Sequence, residues 1–252
     1  MTLFDAYIRK VSEYVEEMRA QGRSVKVLST PALLEGLPVK IGSGANPGVI
    51  LREDTYAELG NPEAGSCAFA LFTDKPGLIP DGRITLIGPD IKEAAGQSLP
   101  FGQVLMMGGA GLDDKNLEEL QQPGFIGDQI EGYMVRSSSQ SVWSRVSKDA
   151  AAKGFDFTSL GRALMALYRS GNGNIQAMEA VFVTSGRDDI KRLDDIAAQV
   201  RKINKELVRQ AWKLRGYDID CASDCSNCGD KAVCDEIKEV LKEQQARSPQ
   251  PD

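Results

Sequence analysis

Histidine is absent from this chain of 252 residues. Its absence excludes the usual serine or cysteine hydrolase chemistry, in which a histidine activates the nucleophile. The sequence also lacks an apolar run of about 18 residues, the length that a membrane-spanning helix needs. Acidic residues outnumber basic ones, 36 to 30, so the net charge is −6. This balance disfavours broad electrostatic binding to nucleic acid or to an anionic membrane.

Cysteine is scarce, yet four of the five cysteines lie in one stretch, CASDCSNCGDKAVC, at residues 221–234. The chain opens on an amphipathic helical pattern and not on a signal peptide, so we expect a cytoplasmic protein with reduced thiols. Disulfides within so short a loop would be crowded. The stretch therefore predicts a metal site with four thiolate ligands, namely Cys221, Cys225, Cys228 and Cys234.

The metal at this site is either an iron–sulfur cluster or zinc. Structural zinc sites usually have two cysteine pairs with a longer spacer between them, whereas these four cysteines form one compact run with uneven gaps. The spacing favours a 4Fe–4S cluster, with zinc as the alternative. The fifth cysteine, Cys67, lies in the apolar segment SCAFALFT and is expected to be a small core residue.

The hydrophobic pattern predicts an α+β fold, with a mixed or antiparallel sheet and packed helices. Short turns separate the candidate strands, which argues against regular βαβ units. Strands are predicted at SVKVLS (24–29), VILRED (49–54), TYAELG (55–60), CAFALFT (67–73), ITLIG (84–88), within LPFGQVLMMGGAG (99–111), at VWSRVS (142–147) and at AVFVTS (180–185).

Helices are predicted at the N-terminus, at about 124–134, at 148–154, at 157–170 and at about 187–215. Thr158 is the candidate N-cap of the fourth helix, and Gly216 ends the fifth. We therefore expect an α+β domain over residues 1–216. Residues 217–252 would form a small four-cysteine module and tail, too short to fold without its metal.

An aromatic and basic surface is predicted around Trp143. Trp143 and Arg145 lie two residues apart in a predicted strand and so share a face, with Arg136 and Lys148 nearby. A guanidinium binds phosphate through two hydrogen bonds, and an indole stacks on a nucleotide base. The alternative is that Trp143 is a core aromatic and that Arg145 pairs with a surface acid.

Several segments together resemble one family. They are IGPDI (87–91), LPFG (99–102), VWSRVSKDAAAKGF (142–155), AVFVTS (180–185) and the stretch from GSGANPG to CAFALFT (42–73). In this order they are similar to the middle domain of acetyl-CoA synthase, the β subunit of the carbon monoxide dehydrogenase/acetyl-CoA synthase complex. The resemblance covers roughly residues 25–200, and the Trp-x-Arg-Val-Ser-Lys-Asp-Ala block is its most specific part.

The resemblance implies a link to the synthesis of acetyl-CoA from CO, CoA and a methyl group carried by a corrinoid protein. In the family this reaction uses a nickel site bridged to a 4Fe–4S cluster in a following domain, with a Cys-Gly-Cys pair among its ligands. No Cys-Gly-Cys occurs in this sequence, so the resemblance lacks the nickel active-site domain and leaves catalysis open. The four clustered cysteines lie beyond the resemblance.

The family's middle domain has a tryptophan within an arginine-rich surface that is associated with CoA binding. Trp143 and Arg145 match it, and the resemblance implies a CoA site here with Arg136 and Lys148. The family places another arginine shortly before the tryptophan, where this sequence has SSSQ (137–140).

Three functional hypotheses follow. The first is a stand-alone accessory protein of anaerobic one-carbon metabolism that binds CoA or a partner subunit and carries a 4Fe–4S cluster. The second is a non-redox interaction module whose C-terminus is held by zinc. The third is a subunit of a CO-methylating acetyl-CoA synthase that works when another chain supplies the nickel site. Expected partners are subunits of the CO dehydrogenase/acetyl-CoA synthase complex or a corrinoid protein.

Overall fold

The computed structural model describes residues 2–30, 33–45, 48–112, 128–138 and 141–214, together with residues 231, 235, 236 and 239. The chain divides into two compact units, Met1–Val200 and Arg201–Asp252. The first unit contains all the strands described below. The boundary predicted after residue 216 and the four clustered cysteines lie outside the described residues and stay predictions.

The described part of the chain alternates helices and strands irregularly, as the α+β prediction requires. The helices are α1 (Asp5–Ala20), α2 (Lys148–Ala152), α3 (Phe157–Gly171) and α4 (Arg187–Leu214), and short 3-10 turns lie at Pro76–Leu78 and Ile91–Ala94. The strands are β1 (Val25–Ser29), β2 (Thr55–Leu59), β3 (Ser66–Thr73), β4 (Arg83–Ile87), β5 (Ser98–Leu99), β6 (Phe101–Gly108), β7 (Tyr133–Ser138), β8 (Ser141–Ser147) and β9 (Ala177–Val183). None of the described helices is both long and apolar enough to cross a membrane.

A five-stranded sheet with the order β1-β4-β9-β6-β3 forms the centre of the first unit. Its pairs are antiparallel for β1/β4 and β6/β9, and parallel for β4/β9 and β3/β6. The predicted mixed pairing is confirmed. Every residue of β6 and β9 is buried, so these two strands are mostly apolar and do not alternate strictly, and Gln103 and Glu179 are their buried polar residues.

Helices cover both faces of this sheet. Phe101 and Gly102 are neighbours on β6, so their side-chain directions point to opposite faces. The Phe101 ring stacks on Phe157 at the start of α3, with 5.8 Å between centroids. On the other face, a methyl group at Gly102 would lie only 2.9 Å from Leu193 of α4. Helices α3 and α4 therefore lie on opposite faces, and α4 approaches the sheet closely because residue 102 is a glycine.

A second, four-stranded sheet has the order β5-β2-β8-β7. Its β8 strand alternates between buried and half-buried residues, the pattern of a sheet with one face against the core. Val142, on the buried face of β8, donates its N–H to the Ser66 hydroxyl of β3 at 3.1 Å. This contact joins the two sheets next to the half-buried face of β8, which presents Trp143 and Arg145.

Two of the predicted secondary-structure elements are wrong. VILRED (49–54) is not a strand, because the chain turns there with backbone hydrogen bonds from Asp54 to Leu51 and from Thr55 to Arg52. The helix predicted at 124–134 is contradicted in its described part: residues 128–132 form turns and a single bridge residue, and β7 begins at Tyr133. Gly132 has a φ of +71°, a left-handed conformation that stops a helix and leaves the next residues free to pair with β8.

Candidate functional site

Trp143 and Arg145 lie on the half-buried face of β8, as the strand periodicity predicted. The Arg145 guanidinium lies over the Trp143 ring, 4.7 Å from the ring centroid. At this distance the positive charge is attracted to the electron-rich face of the indole. The two side chains therefore form one stacked unit.

Glu58 of β2 connects both members of this unit. It lies directly opposite Arg145 in the β2/β8 pair. Its Oε1 accepts hydrogen bonds from Trp143 Nε1 at 3.0 Å and from Arg145 Nε at 3.3 Å. The side chains of Arg145 and Glu58 are only 19% and 26% exposed, so solvent screens this ion pair less than it would screen a pair on an open surface. Arg145 does pair with an acid, as in the alternative interpretation, while Trp143 is half-buried and not fully in the core.

The pKa of the Glu58 carboxyl lies below its usual value. Partial burial by itself raises the pKa, but the hydrogen bonds from Trp143, Asn61 and Arg145, together with the charge of Arg145, outweigh that effect. The charged carboxylate is therefore the form that holds the indole and the guanidinium in place at neutral pH.

Arg136 lies directly across the β7/β8 hairpin from Trp143, and directly opposed residues of an antiparallel pair share a face. It is exposed and pairs with Asp128 at 3.2 Å. Glu58, Arg136, Trp143 and Arg145 are called the Trp143 cluster below. The sequence has no arginine immediately before Trp143, and the hairpin supplies one from the neighbouring strand.

Lys148 occupies a different position from the other three predicted site residues. It is the first residue of α2, its side chain is exposed, and its N–H donates to the Asp54 carbonyl at 2.9 Å. No described hydrogen bond or ion pair joins its side chain to the Trp143 cluster. Its place in the site stays a prediction.

A cleft of about 730 Å³ opens beside Trp143 and Arg136. A volume of this size is typical of a pocket for a small organic ligand. Three segments surround it: the β2–β3 turn, the β7–β8 hairpin and the first turns of α4. The lining residues include Gly60, Gly65, Ser66, Arg136, Ser141, Trp143, Arg187 and Lys191.

The sequence interpretation missed Glu58, Arg187 and Lys191. Glu58 is one of many carboxylates, and nothing near it in the sequence connects it to Trp143. Arg187 and Lys191 do have one signal, because residues four apart lie on the same face of a helix. The spacing does not show which other residues of the chain lie next to this face of the helix.

The four clustered cysteines lie outside the described residues, so their prediction is untested. Among residues that the structure describes, no group of three or more acidic or cysteine side chains is placed to hold a metal ion. Cys67 lies on β3 and is completely buried, as expected for a core residue.

Residues 37–189 match the family model of the CO dehydrogenase/acetyl-CoA synthase complex beta subunit. The chain belongs to this family. The matched range contains all four residues of the Trp143 cluster and ends within the first turn of α4. The resemblance predicted for roughly residues 25–200 is thereby confirmed, and the four-cysteine stretch lies beyond the match.

Curated members of the beta-subunit family are similar to most of this chain. The acetyl-CoA decarbonylase/synthase complex subunit beta 2 of Methanosarcina acetivorans is 32% identical over 184 residues, which make up 71% of this chain and 37% of that protein. The corresponding protein of Methanosarcina thermophila is 30% identical over the same shares. The beta subunit of Methanopyrus kandleri is 28% identical over 77% of this chain and 41% of its own length. This chain thus spans little more than a third of the length of these relatives.

Proposed function

We propose that this member of the beta-subunit family binds CoA through the Trp143 cluster and acts as an accessory protein of anaerobic one-carbon metabolism. The observation that carries the proposal is the fixed indole of Trp143, held by Glu58 and Arg145 at the wall of a cleft. CoA contains an adenine ring and negatively charged phosphates. An indole and nearby guanidinium groups are the protein groups that suit these two parts.

The geometry supports a preformed site. Glu58 and Arg145 restrain the Trp143 side chain before any ligand arrives, so binding loses less side-chain entropy than it would with a mobile indole. Arg136 places a positive charge on the same face. The relatives are named as subunits of an acetyl-CoA decarbonylase/synthase complex, a name that includes acetyl-CoA, the acetyl thioester of the proposed ligand.

Titration of the full chain with CoA tests this proposal. Trp143 is one of two tryptophans, so its fluorescence must be separated from that of Trp212. We expect CoA to quench the emission of the wild-type protein and of Trp212→Phe, and to leave the emission of Trp143→Phe unchanged. Quenching that survives in Trp143→Phe and disappears in Trp212→Phe would place the ligand elsewhere, and no binding by calorimetry would reject the proposal.

We also propose that Cys221, Cys225, Cys228 and Cys234 ligate a 4Fe–4S cluster that serves electron transfer or docking. The support is the sequence spacing, four thiolates within a single short stretch, and the chemistry of thiolates as iron ligands. If a structural zinc occupied the same four thiolates, the C-terminus would be a non-redox interaction module.

Purification without oxygen, followed by assays of iron, sulfide, zinc and nickel, separates these two metals. The cluster predicts a broad visible absorption band and about four irons per chain, both lost when Cys225 and Cys228 are replaced by serine. Cys67→Ser is the matched control, because Cys67 is buried in β3, and should keep the metal. A colourless protein with one zinc per chain would overturn the iron–sulfur proposal.

A role within a larger complex is the remaining proposal, with CO dehydrogenase/acetyl-CoA synthase subunits or a corrinoid protein as partners. It is supported by the relatives, which are named as complex subunits. In this case another chain would supply the nickel site, and the test is co-elution of the purified chain with purified subunits on size exclusion. Separate elution at micromolar concentrations of both proteins would reject a stable complex.

A further inference from the structure

Two cations of α4 line the cleft beside Trp143. Arg187 and Lys191 are four residues apart on α4, so they lie one turn apart on the same face, and both line the cleft. Both are exposed, and neither forms an ion pair with a residue that the structure describes. Their charges are therefore available to a ligand.

Arg187 is held against the β2–β3 turn. A methyl group added at Gly65 would lie 3.4 Å from the Arg187 Cγ, so the aliphatic part of Arg187 lies just above the Gly65 backbone. Gly65 has a φ of +89°, a conformation that glycine adopts without strain. The turn thus supports the stem of Arg187 while its guanidinium lies at the cleft.

Arg145 is poorly placed to bind phosphate. Its Nε donates to Glu58, and a terminal nitrogen donates to the Ile50 carbonyl at 3.0 Å. It does not appear in the lining of the cleft, whereas Arg136 does. Because Glu58 already balances its charge, Arg145 acts on the ligand through the position of Trp143.

We propose that Arg187 and Lys191 bind the phosphate groups of an adenine nucleotide whose base stacks on Trp143. The proposal rests on the proposed CoA binding and deepens it: the cleft takes the phosphorylated nucleotide end of CoA, and the pantetheine arm extends away from it. The carboxylates of Asp188 and Asp194 also line the cleft, and Arg136 pairs with Asp128, so the positive charge that a phosphate would meet lies at Arg187 and Lys191. The N-terminal end of α4 adds partial positive charge from its peptide dipoles.

Calorimetric titration with three ligands tests the proposal on the full chain. The ligands are CoA, dephospho-CoA and pantetheine, which carry three, two and no phosphate groups. The variants are Arg187→Gln and Lys191→Gln, with Arg9→Gln as the matched control, since Arg9 is an exposed cation of α1 outside the cleft. Circular dichroism checks that each variant is folded.

We expect each cleft variant to weaken CoA binding about tenfold, the usual effect of losing a charge-assisted hydrogen bond. Arg9→Gln should bind CoA as the wild type does, and pantetheine should bind every variant with the same low affinity. In at least one cleft variant, the loss of binding affinity should be smaller for dephospho-CoA than for CoA, because dephospho-CoA already lacks one of the three phosphates. Unchanged CoA affinity in both cleft variants would overturn the phosphate assignment alone if Trp143→Phe still abolished quenching. Failure of the wild-type chain to bind CoA would overturn both proposals.

Discussion

Glu58 controls the candidate site because a single carboxylate oxygen accepts hydrogen bonds from both Trp143 and Arg145. The tryptophan needs a partner for its buried N–H, and the arginine needs a counter-charge in a half-buried place. One residue of β2 satisfies both needs. The orientation of the indole therefore depends on the protonation state of Glu58.

Glu58→Gln is expected to loosen the Trp143 cluster without unfolding the protein. The amide can still accept from the indole, but the ion pair to Arg145 is lost, with a cost of about 1 kcal/mol. We expect weaker CoA binding and a shifted Trp143 emission. The control is Glu63→Gln, an exposed acid of the β2–β3 turn, for which neither quantity should change.

Acid titration of Trp143 fluorescence provides a second test at this residue. Because hydrogen bonds and the charge of Arg145 lower the pKa of Glu58 below its usual value of 4.5, the carboxylate persists as the pH falls through that value. We expect the emission of Trp143 to change only below it, and the change to be absent from Glu58→Gln and from Trp143→Phe. A transition above the usual value, with unchanged circular dichroism, would contradict this prediction.

Asp5→Asn is expected to destabilise the fold in a pH-dependent way. Asp5 is fully buried and accepts hydrogen bonds from Thr73 and Lys75, both at 2.8 Å, and from Thr2. Burial by itself raises its pKa, but the hydrogen bonds from Lys75, Thr2 and Thr73 outweigh this and lower it. A lowered pKa means that the stabilisation is present above the unfolded value and is lost as the pH falls through the folded value.

Urea denaturation at neutral and acid pH measures this effect. Asp5→Asn should lower the free energy of unfolding by about 2 kcal/mol near pH 7. This difference from the wild type should shrink once the wild-type carboxyl is protonated. Asp195→Asn is the control, since Asp195 is exposed on α4 and should change stability by less than about 0.5 kcal/mol. A pH-independent difference for Asp5→Asn would reject the ionic contribution.

Among the elements, α3 shows how a correct helix prediction can carry a wrong cap. The sequence predicts a helix at 157–170 with Thr158 as its N-cap, and the structure has α3 at Phe157–Gly171. Its cap is Asp156, whose Oδ1 accepts from the Ser159 N–H at 2.7 Å. The cap lies two residues earlier because Phe157 is already helical and buried, in contact with Phe101 and Phe182.

Asp156→Ala should therefore destabilise the protein by about 1 kcal/mol, the usual cost of losing a capping side chain. Thr158→Ala is the matched control, and it should cost much less because Thr158 lies inside the helix, where alanine is favoured. Thermal or urea denaturation of both variants measures the difference. An equal loss in the two variants would show that Asp156 does not act as the cap.

At the scale of the whole molecule, the approach of α4 to the five-stranded sheet positions the cleft. Gly102 on β6 leaves room for Leu193 and Ile190, and the same helix presents Arg187 and Lys191 at the cleft. The α1 helix packs beside it, since the Tyr14 hydroxyl donates to the Asp189 carbonyl at 3.0 Å. The sheet, α4 and the second sheet together bring the cleft residues to one place.

Gly102→Ala is expected to lower the free energy of unfolding by about 1–3 kcal/mol, because the new methyl group overpacks the contact with α4. Gly173→Ala is the matched control: a methyl group at Gly173 meets nothing within 4 Å, so its effect should be below about 0.5 kcal/mol. Denaturation midpoints measure both. Equal stability of the two variants would mean that α4 adjusts its position at no cost, and CoA affinity would show whether the cleft moves with it.

Local pattern predicted much of the secondary structure correctly. The strands from β1 to β4, β6, β8, β9, the first helix and the long α4 were all predicted, because each has apolar residues at the period of its own structure. β7 and the turn at 49–54 were not predicted correctly. YMVRSS becomes a strand through its pairing with β8, and that pairing is an interaction between segments which a local pattern does not contain.

The amino-acid sequence by itself determined the fold class, the membership of the beta-subunit family, the paired faces of Trp143 and Arg145, and the four-cysteine stretch. These properties depend on residue identity and on short spacings along one segment. Tertiary structure alone decided that Arg136 lies opposite Trp143, that Glu58 holds the indole, and that Arg187 and Lys191 line the same cleft. The physical reason is that strand register and helix packing join residues far apart in the chain, and many different pairings satisfy the same local pattern.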